Sequence, residues 1–191
     1  MRTSDPAIAY ETETYPTASL FNVGLVKMKD SSTPAPALAE SWTVSPDGTT
    51  YIFKLRDGLK FSNGRALTTD DVLYSFTRLL DQKTASPTAF MFAPLVGADD
   101  FQNGKATSVA GIKVIDKKTI EFKTAVPVWS MMQRFALPPG FIVAKEGVEA
   151  AGEEFARKPL GAGPYMLTSW KSGVMITGVK NPNYYDAGKP A

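Results

Sequence analysis

Residues 40–64, ESWTVSPDGTTYIFKLRDGLKFSNG, hold carboxylates placed where chemistry is conceivable. Asp47 and Asp57 flank an alternating run, Tyr51-Ile52-Phe53-Lys54-Leu55-Arg56. A glycosidase needs two carboxylates facing one sugar across a cleft. Here each Asp stands directly before a glycine, and Asn63-Gly64 repeats the pattern; Asp-Gly and Asn-Gly are turn dipeptides. Turn-making outweighs catalysis. Asp70-Asp71 offers oxygens to a hard cation, but the alternate ligands around a sharp glycine turn that calcium requires are missing. A helix first turn explains the pair instead. Gly161-Ala162-Gly163-Pro164 invites a phosphate cradle. Such cradles lie between a strand and a helix and usually carry a Lys. This run precedes a strand pattern, and Pro164 has no N–H to donate. Serines are common, but there is no His to activate one and no nucleophile elbow.

The stretch Tyr10-Glu11-Thr12-Glu13-Thr14 offers an aromatic face, hydroxyls and backbone groups between a turn and an apolar segment, which suits a cleft wall. From spacing alone an exposed loop explains it better. Glu153-Glu154 reads as solvated helix surface. Trp129 and Met132, at helical spacing, read as core rather than as a ligand platform.

Composition narrows the classes. The 191 residues suffice for one domain or one large lobe, and 43% apolar with 21% charged residues allows a packed core. A net charge of +2, without basic runs interleaved with aromatics, argues against nucleic acid. Without Cys or His the chain has no disulfide, no thiolate chemistry and neither of the commonest metal ligands. No cofactor is expected. No apolar run reaches membrane-spanning length, and residues 1–6 lack the apolar stretch of a signal peptide. Met1 therefore begins either a cytoplasmic protein or a chain trimmed of its export signal.

The elements follow from periodicity. A short helix carrying Ala18, Leu20 and Phe21 leads into an extended segment at Gly24, Leu25 and Val26. Residues 30–36 read as a loop. Residues 49–56 read as a strand with Tyr51, Phe53 and Leu55 on one face. Leu59 to Phe61 reads as a second short extended piece. Residues 69–81 read as a helix, N-capped by Thr68, with Val72, Phe76, Leu79 and Leu80 on one side. Residues 81–104 read as irregular. Residues 109–124 read as a hairpin turning at Asp116-Lys117-Lys118. Pro127 suits the first turn of a helix bearing Trp129, Met132 and Phe135, ended by Pro138-Pro139-Gly140. A further helix covers residues 146–156; the run over residues 159–170 leads to a turn at Lys171-Ser172-Gly173, after which residues 174–179 return as a strand.

Several of these segments, in order, resemble one family. Ala37-Leu38-Ala39-Glu40-Ser41-Trp42, Pro46-Asp47-Gly48-Thr49, the run from Tyr51 to Gly64 and Leu67-Thr68-Thr69-Asp70-Asp71-Val72-Leu73-Tyr74-Ser75-Phe76 are similar to the signature region of the peptide/nickel-type extracellular solute-binding proteins. These are the family 5 receptors of ABC importers. Pro159-Leu160-Gly161-Ala162-Gly163-Pro164-Tyr165 resembles the family's Gly-Thr-Gly-Pro-Tyr motif, with Ala162 where Thr is usual. Asn181-Pro182-Asn183-Tyr184-Tyr185 resembles its Asn-Pro-Asp-Tyr-Trp run. Asp5-Pro6 and Gly24-Leu25-Val26 also sit where the family has them.

The resemblance implies an α/β (α+β) architecture: part of lobe I of a two-lobe periplasmic-binding-protein-like fold, with an inserted mixed α/β subdomain. Residues 1–28 would open the lobe core, 29–158 form the insertion, and 159–191 return to the core. The second lobe would be absent, making the chain a truncated N-terminal piece. The segment after Asp-Pro lines the ligand cleft in this family, which implies ligand-binding roles for Tyr10, Glu11 and Thr12. Loops near residues 86–92 and 133–139 would approach the same cleft. Nickel-binding members use an Arg near an Ala-Leu-Pro motif; here Ala136-Leu137-Pro138 is followed by Pro139, a departure from that pattern. The implied function is capture of a solute, first of all a peptide, by closure of two lobes, then delivery to an ABC permease. No bond is broken. The implied location is periplasmic or extracellular, including a lipid-anchored form, with membrane contact only through the transporter or anchor. Two other readings stand beside it: a carboxylate-dependent hydrolase using Asp47 or Asp57, and a stand-alone interaction module. A lobe lacking strands should also self-associate.

Overall fold

The computed structural model describes residues 3–12, 14–186 and 188. Glu13 and Met1 lie outside the described residues. In chain order the elements are α1 (Tyr15–Phe21), β1 (Val23–Gly24), β2 (Val26–Met28), β3 (Pro34–Pro36), β4 (Ala39–Val44), β5 (Thr50–Leu55) and α2 (Thr69–Leu80). Then come α3 (Ala98–Gln102), β6 (Ile112–Val114), β7 (Thr119–Lys123), α4 (Met131–Ala136), β8 (Phe141–Ile142), α5 (Lys145–Ala151), β9 (Tyr165–Lys171) and β10 (Met175–Lys180). Short 3-10 turns fill several gaps.

The centre is an antiparallel sheet in the order β4-β5-β7-β6. Alternation in β5 sends Tyr51, Phe53 and Leu55 inward, where all three are buried, and Phe53 stands opposite Ile120 of β7. The hairpin β6–β7 contributes Ile112, Ile120 and Phe122 to the same face. Helix α2 covers that face. Its start is fixed by a capping box: the Thr68 hydroxyl accepts from the Asp70 N–H at 3.3 Å, and the Asp71 carboxylate accepts from the Thr68 N–H at 2.9 Å. Val72, Phe76, Leu79 and Leu80 form its buried stripe.

Between helix and sheet sits a cluster of phenylalanines. Phe76 meets Phe122 at 4.8 Å between ring centroids and Phe92 at 4.9 Å, while Phe135 meets Phe53 and Phe122 at 4.9 Å each, mostly edge to face. Phe135 comes from α4, so one ring ties the helix after the hairpin to both central strands. β1 pairs β8, β2 pairs β3, and β9 pairs β10 as a separate two-stranded ribbon.

Several expectations need correction. Trp129 is not core: it is 94% exposed. The Tyr51 hydroxyl donates toward Gly48 O and Val128 O, at 3.0 and 3.1 Å, pinning residues 127–130 as a loop. The helix therefore starts at Met131 rather than near Pro127, and Met131 with Phe135 supplies the buried i, i+4 pair. Residues 34–36 are not all loop; Pro34 and Pro36 join a short strand at Met28 and Val26, a place where missing N–H groups are tolerated. The helix over 146–156 is two pieces, because Gly152 adopts φ +52° and the chain continues as a 3-10 helix. Residues 59–61 form only an isolated bridge, Lys60 to Ala66, not a paired strand, while residues 81–104 carry α3 within an otherwise irregular run.

Because Phe135 touches rings from both central strands and from α2, Phe135→Ala should cost about 3–5 kcal/mol. Urea unfolding followed by circular dichroism measures this; a loss below about 1 kcal/mol would show that the ring cluster is not the main tie.

Candidate functional site

The carboxylates of the opening segment are spent on a turn and on ion pairs. Asp47 accepts from the Ser45 hydroxyl, from the Thr49 N–H at 3.1 Å and from the Thr49 hydroxyl at 3.0 Å. Asp57 pairs with Lys118 from the hairpin turn. The two stand beyond opposite ends of β5, roughly 20 Å apart by strand rise, too far for paired glycosidase work. Asp71 completes the helix cap and accepts both Arg65 Nη groups, at 3.1 and 2.6 Å. Among the described residues no group of three or more acidic, His or Cys side chains could hold a metal.

The glycines at 161 and 163 serve packing, not phosphate. A Cβ on Gly161 would lie 2.2 Å from Phe21 O, and one on Gly163 2.4 Å from the Phe21 carbonyl carbon. The chain crosses the C-terminus of α1 at backbone distance, and the Gly163 N–H donates to Phe21 O at 2.9 Å. Gly161 O accepts the Ser62 N–H at 2.9 Å. The motif thus locks α1, β9 and the turn near Asn63 together.

The stretch at Tyr10 is positioned by a buried ion pair. Arg78, in the last turn of α2, donates to both Asp5 oxygens, at 2.8 and 2.6 Å. The Asp5 side chain is 2% exposed and that of Arg78 14%. The same carboxylate accepts from the Ala7 N–H at 3.1 Å, and Asp5 O accepts from the Ile8 and Ala9 N–H groups. Ser4 holds Ala156 O through both its N–H and its hydroxyl. The result is a tight turn that delivers Tyr10, 57% exposed, and half-buried Glu11 to the surface. Thr14 returns its N–H and hydroxyl to Glu11 O, at 2.8 and 2.7 Å.

Tyr10 and Glu11 border a hollow of about 250 Å³ together with Thr3, Ile8, Thr14 and Ala156. Thr12 is exposed and is not among the residues lining it. The loops at 86–92 and 133–139 do meet each other: Arg134 donates to Met91 O at 2.6 Å. Sequence reasoning missed Asp5 and Arg78 as the pair that sets this geometry. Their signal was present as an Asp-Pro turn and a basic residue late in a helix, but nothing local joined them.

Asp47 is exposed, and hydrogen bonds from the Ser45 hydroxyl and then from Thr49 hold its carboxyl below the ordinary Asp range. A lowered folded pKa gives stability that is present above about pH 4 and is lost as pH falls through the folded value. In an NMR titration, Asp47 should therefore ionise below a free Asp, and Ser45→Ala should bring it back up. An Asp47 that titrates above the free value would restore the catalytic reading.

Comparison with known proteins places this architecture. The family model described as bacterial extracellular solute-binding proteins, family 5 Middle, matches residues 33–191. Di/tripeptide-binding protein 2 of Pseudomonas aeruginosa is 33% identical over 187 residues, covering 90% of this chain and 34% of that protein. A probable deoxycholate-binding periplasmic protein of Escherichia coli, YgiS, is 34% identical over 169 residues, covering 86% of this chain and 32% of that one. Among solved structures, Burkholderia pseudomallei OppA superposes with a TM-score of 0.90 at 31% identity, over 97% of this chain and 38% of that one. Listeria monocytogenes OppA bound to peptide gives 0.88 at 31%, over 96% and 37%. The chain spans about a third of the length of the curated relatives it matches. It has the mixed α/β fold of part of a periplasmic-binding-protein lobe, and it belongs to the bacterial extracellular solute-binding proteins, family 5.

Proposed function

We propose that this chain is part of the peptide-binding component of an ABC importer, and that Tyr10, Glu11 and Thr12 contribute to the wall that meets the peptide. The observation that carries this reading is the family membership together with relatives named for binding di- and tripeptides. The rigid delivery of Tyr10 and Glu11 to an open hollow supports the assignment of the wall. Thr12 has the weaker support, since it lies outside that hollow.

In this reading the peptide is held between two lobes that close by a hinge, and the loaded receptor delivers it to a permease in the membrane. The setting is periplasmic or extracellular. The chain acts as a receptor and not as an enzyme, consistent with Asp47 committed to its turn and Asp57 to Lys118. Residues 1–28 and 159–191 form one lobe core in this scheme, supported by the crossing of Gly161 and Gly163 over α1. Residues 29–158 are the insertion, supported by their own four-stranded sheet.

Isothermal calorimetry with pooled di- and oligopeptides tests the reading. One lobe alone should bind weakly, with a Kd on the order of 0.1–1 mM, and Tyr10→Ala should abolish the heat. A folded chain that is silent to peptides, or that takes deoxycholate instead, would overturn it. The outer edges of the β9–β10 ribbon are unpaired among the described residues, and Val174, Met175 and Val179 are exposed. Light scattering should therefore find this chain self-associating as concentration rises. A monomer at every concentration would refute that expectation.

A further inference from the structure

Away from Tyr10, a second groove of about 480 Å³ separates the turn after β5 from the last described residues. One wall runs from Arg56 to Lys60, the other from Pro182 to Tyr185. Both walls are firmly held. The Asn181 amide donates to Gly163 O at 2.8 Å, its N–H to Pro164 O at 2.9 Å, and the Asn183 amide to Ser62 O at 3.3 Å. Arg56 Nε donates to Ala37 O at 2.6 Å, and the guanidinium lies over the Tyr185 ring, 5.3 Å from its centroid. The Tyr184 and Tyr185 rings are 4.7 Å apart.

The groove is lined by two carboxylates, Glu40 and Asp57, and two cations, Arg56 and Lys60, and the carboxylates are paired with lysines outside it. Glu40 is paired with Lys54 at 2.8 Å, and Asp57 with Lys118. Among the described residues, Arg56 and Lys60 have no carboxylate partner. The Tyr185 hydroxyl is buried without a partner at strict hydrogen-bond geometry, and the neighbouring Tyr184 phenol acts on it as a side-chain hydrogen bond. Burial pushes the Tyr185 ionisation far above the ordinary tyrosine range, so it stays protonated and able to donate. The Arg56 Nη groups, the Lys60 ammonium and the tyrosine pair therefore border one groove, while Arg56 Nε is already held by Ala37 O.

We propose that this groove is a binding site for a carboxylate carried on a flat apolar body. The Arg56 fork takes the two carboxylate oxygens, Lys60 adds charge, and the tyrosine pair offers an aromatic face. The carboxylate belongs either to a free aromatic acid or to the C-terminus of a peptide ending in an aromatic residue. The groove is separate from the hollow at Tyr10, and its test stands apart from the peptide-import reading.

The test titrates the ¹⁵N-labelled chain with benzoate and with N-acetyl-alanyl-phenylalanine, each against its amide. Saturable NMR shifts are expected at the Arg56 Nε–H, Gly58 and Asn183, with a Kd on the order of millimolar. Added KCl should weaken them. Arg56→Lys keeps the charge but removes the fork, and Tyr185→Phe removes only the hydroxyl; each should weaken binding by about tenfold, the size of one charge-assisted hydrogen bond. Lys60→Met, at an exposed position, should weaken it by about threefold and serves if an Arg56 variant fails to fold. Tighter binding of benzoate assigns the site to free acids; tighter binding of the dipeptide assigns it to chain termini. Equal shifts from the amides, no shift from either acid, or folded variants that bind like the parent chain would each overturn the proposal.

Discussion

The bond on which the front of this molecule depends is the buried pair of Asp5 and Arg78. It reaches across 73 residues of sequence to join the first segment to α2. A buried charge whose partner is removed is strongly destabilising, because the desolvation cost remains without the attraction that offsets it. The pair therefore behaves as a latch with a single closed arrangement. Arg78 is itself placed by the stripe that packs α2 on the sheet, so the position of Tyr10 is inherited from the phenylalanine cluster through one guanidinium. The fork geometry adds direction as well as strength, since two parallel bonds fix the carboxylate plane and hence the turn that follows.

What could be read from the sequence was whatever is determined locally. The alternation of β5, the capping box of α2 and the β6–β7 hairpin all follow from residues within a few positions of each other. Trp129 was misread because helical spacing says nothing about where a helix begins. Its exposure is decided by the Tyr51 hydroxyl, which holds Val128 O from 77 residues away. The break at Gly152 and the short β2–β3 pairing at prolines have the same character, a local preference overruled or reused by a distant neighbour. The Tyr10 stretch came forward through family likeness rather than spacing, and its geometry rests on a pair that no periodicity connects.

The two glycines at 161 and 163 show how a motif can look chemical and be steric. Their value lies in the side chain they lack, because the backbone of β9's approach and the end of α1 occupy the same space a Cβ would need. Asp47 and Asp57 make the matching point for carboxylates: the first is taken up by the turn it creates, the second by Lys118 of the hairpin turn.

The Ser4 contact to Ala156 spans 152 positions. During synthesis at about 5–20 residues per second, Ser4 waits roughly 8–30 s before Ala156 exists. The four-stranded sheet and α2 need nothing later than α4 and can organise first. The stretch that carries Tyr10 can thus be latched to α2 through Asp5 and Arg78 well before Ser4 finds Ala156, so its anchoring is completed in two steps.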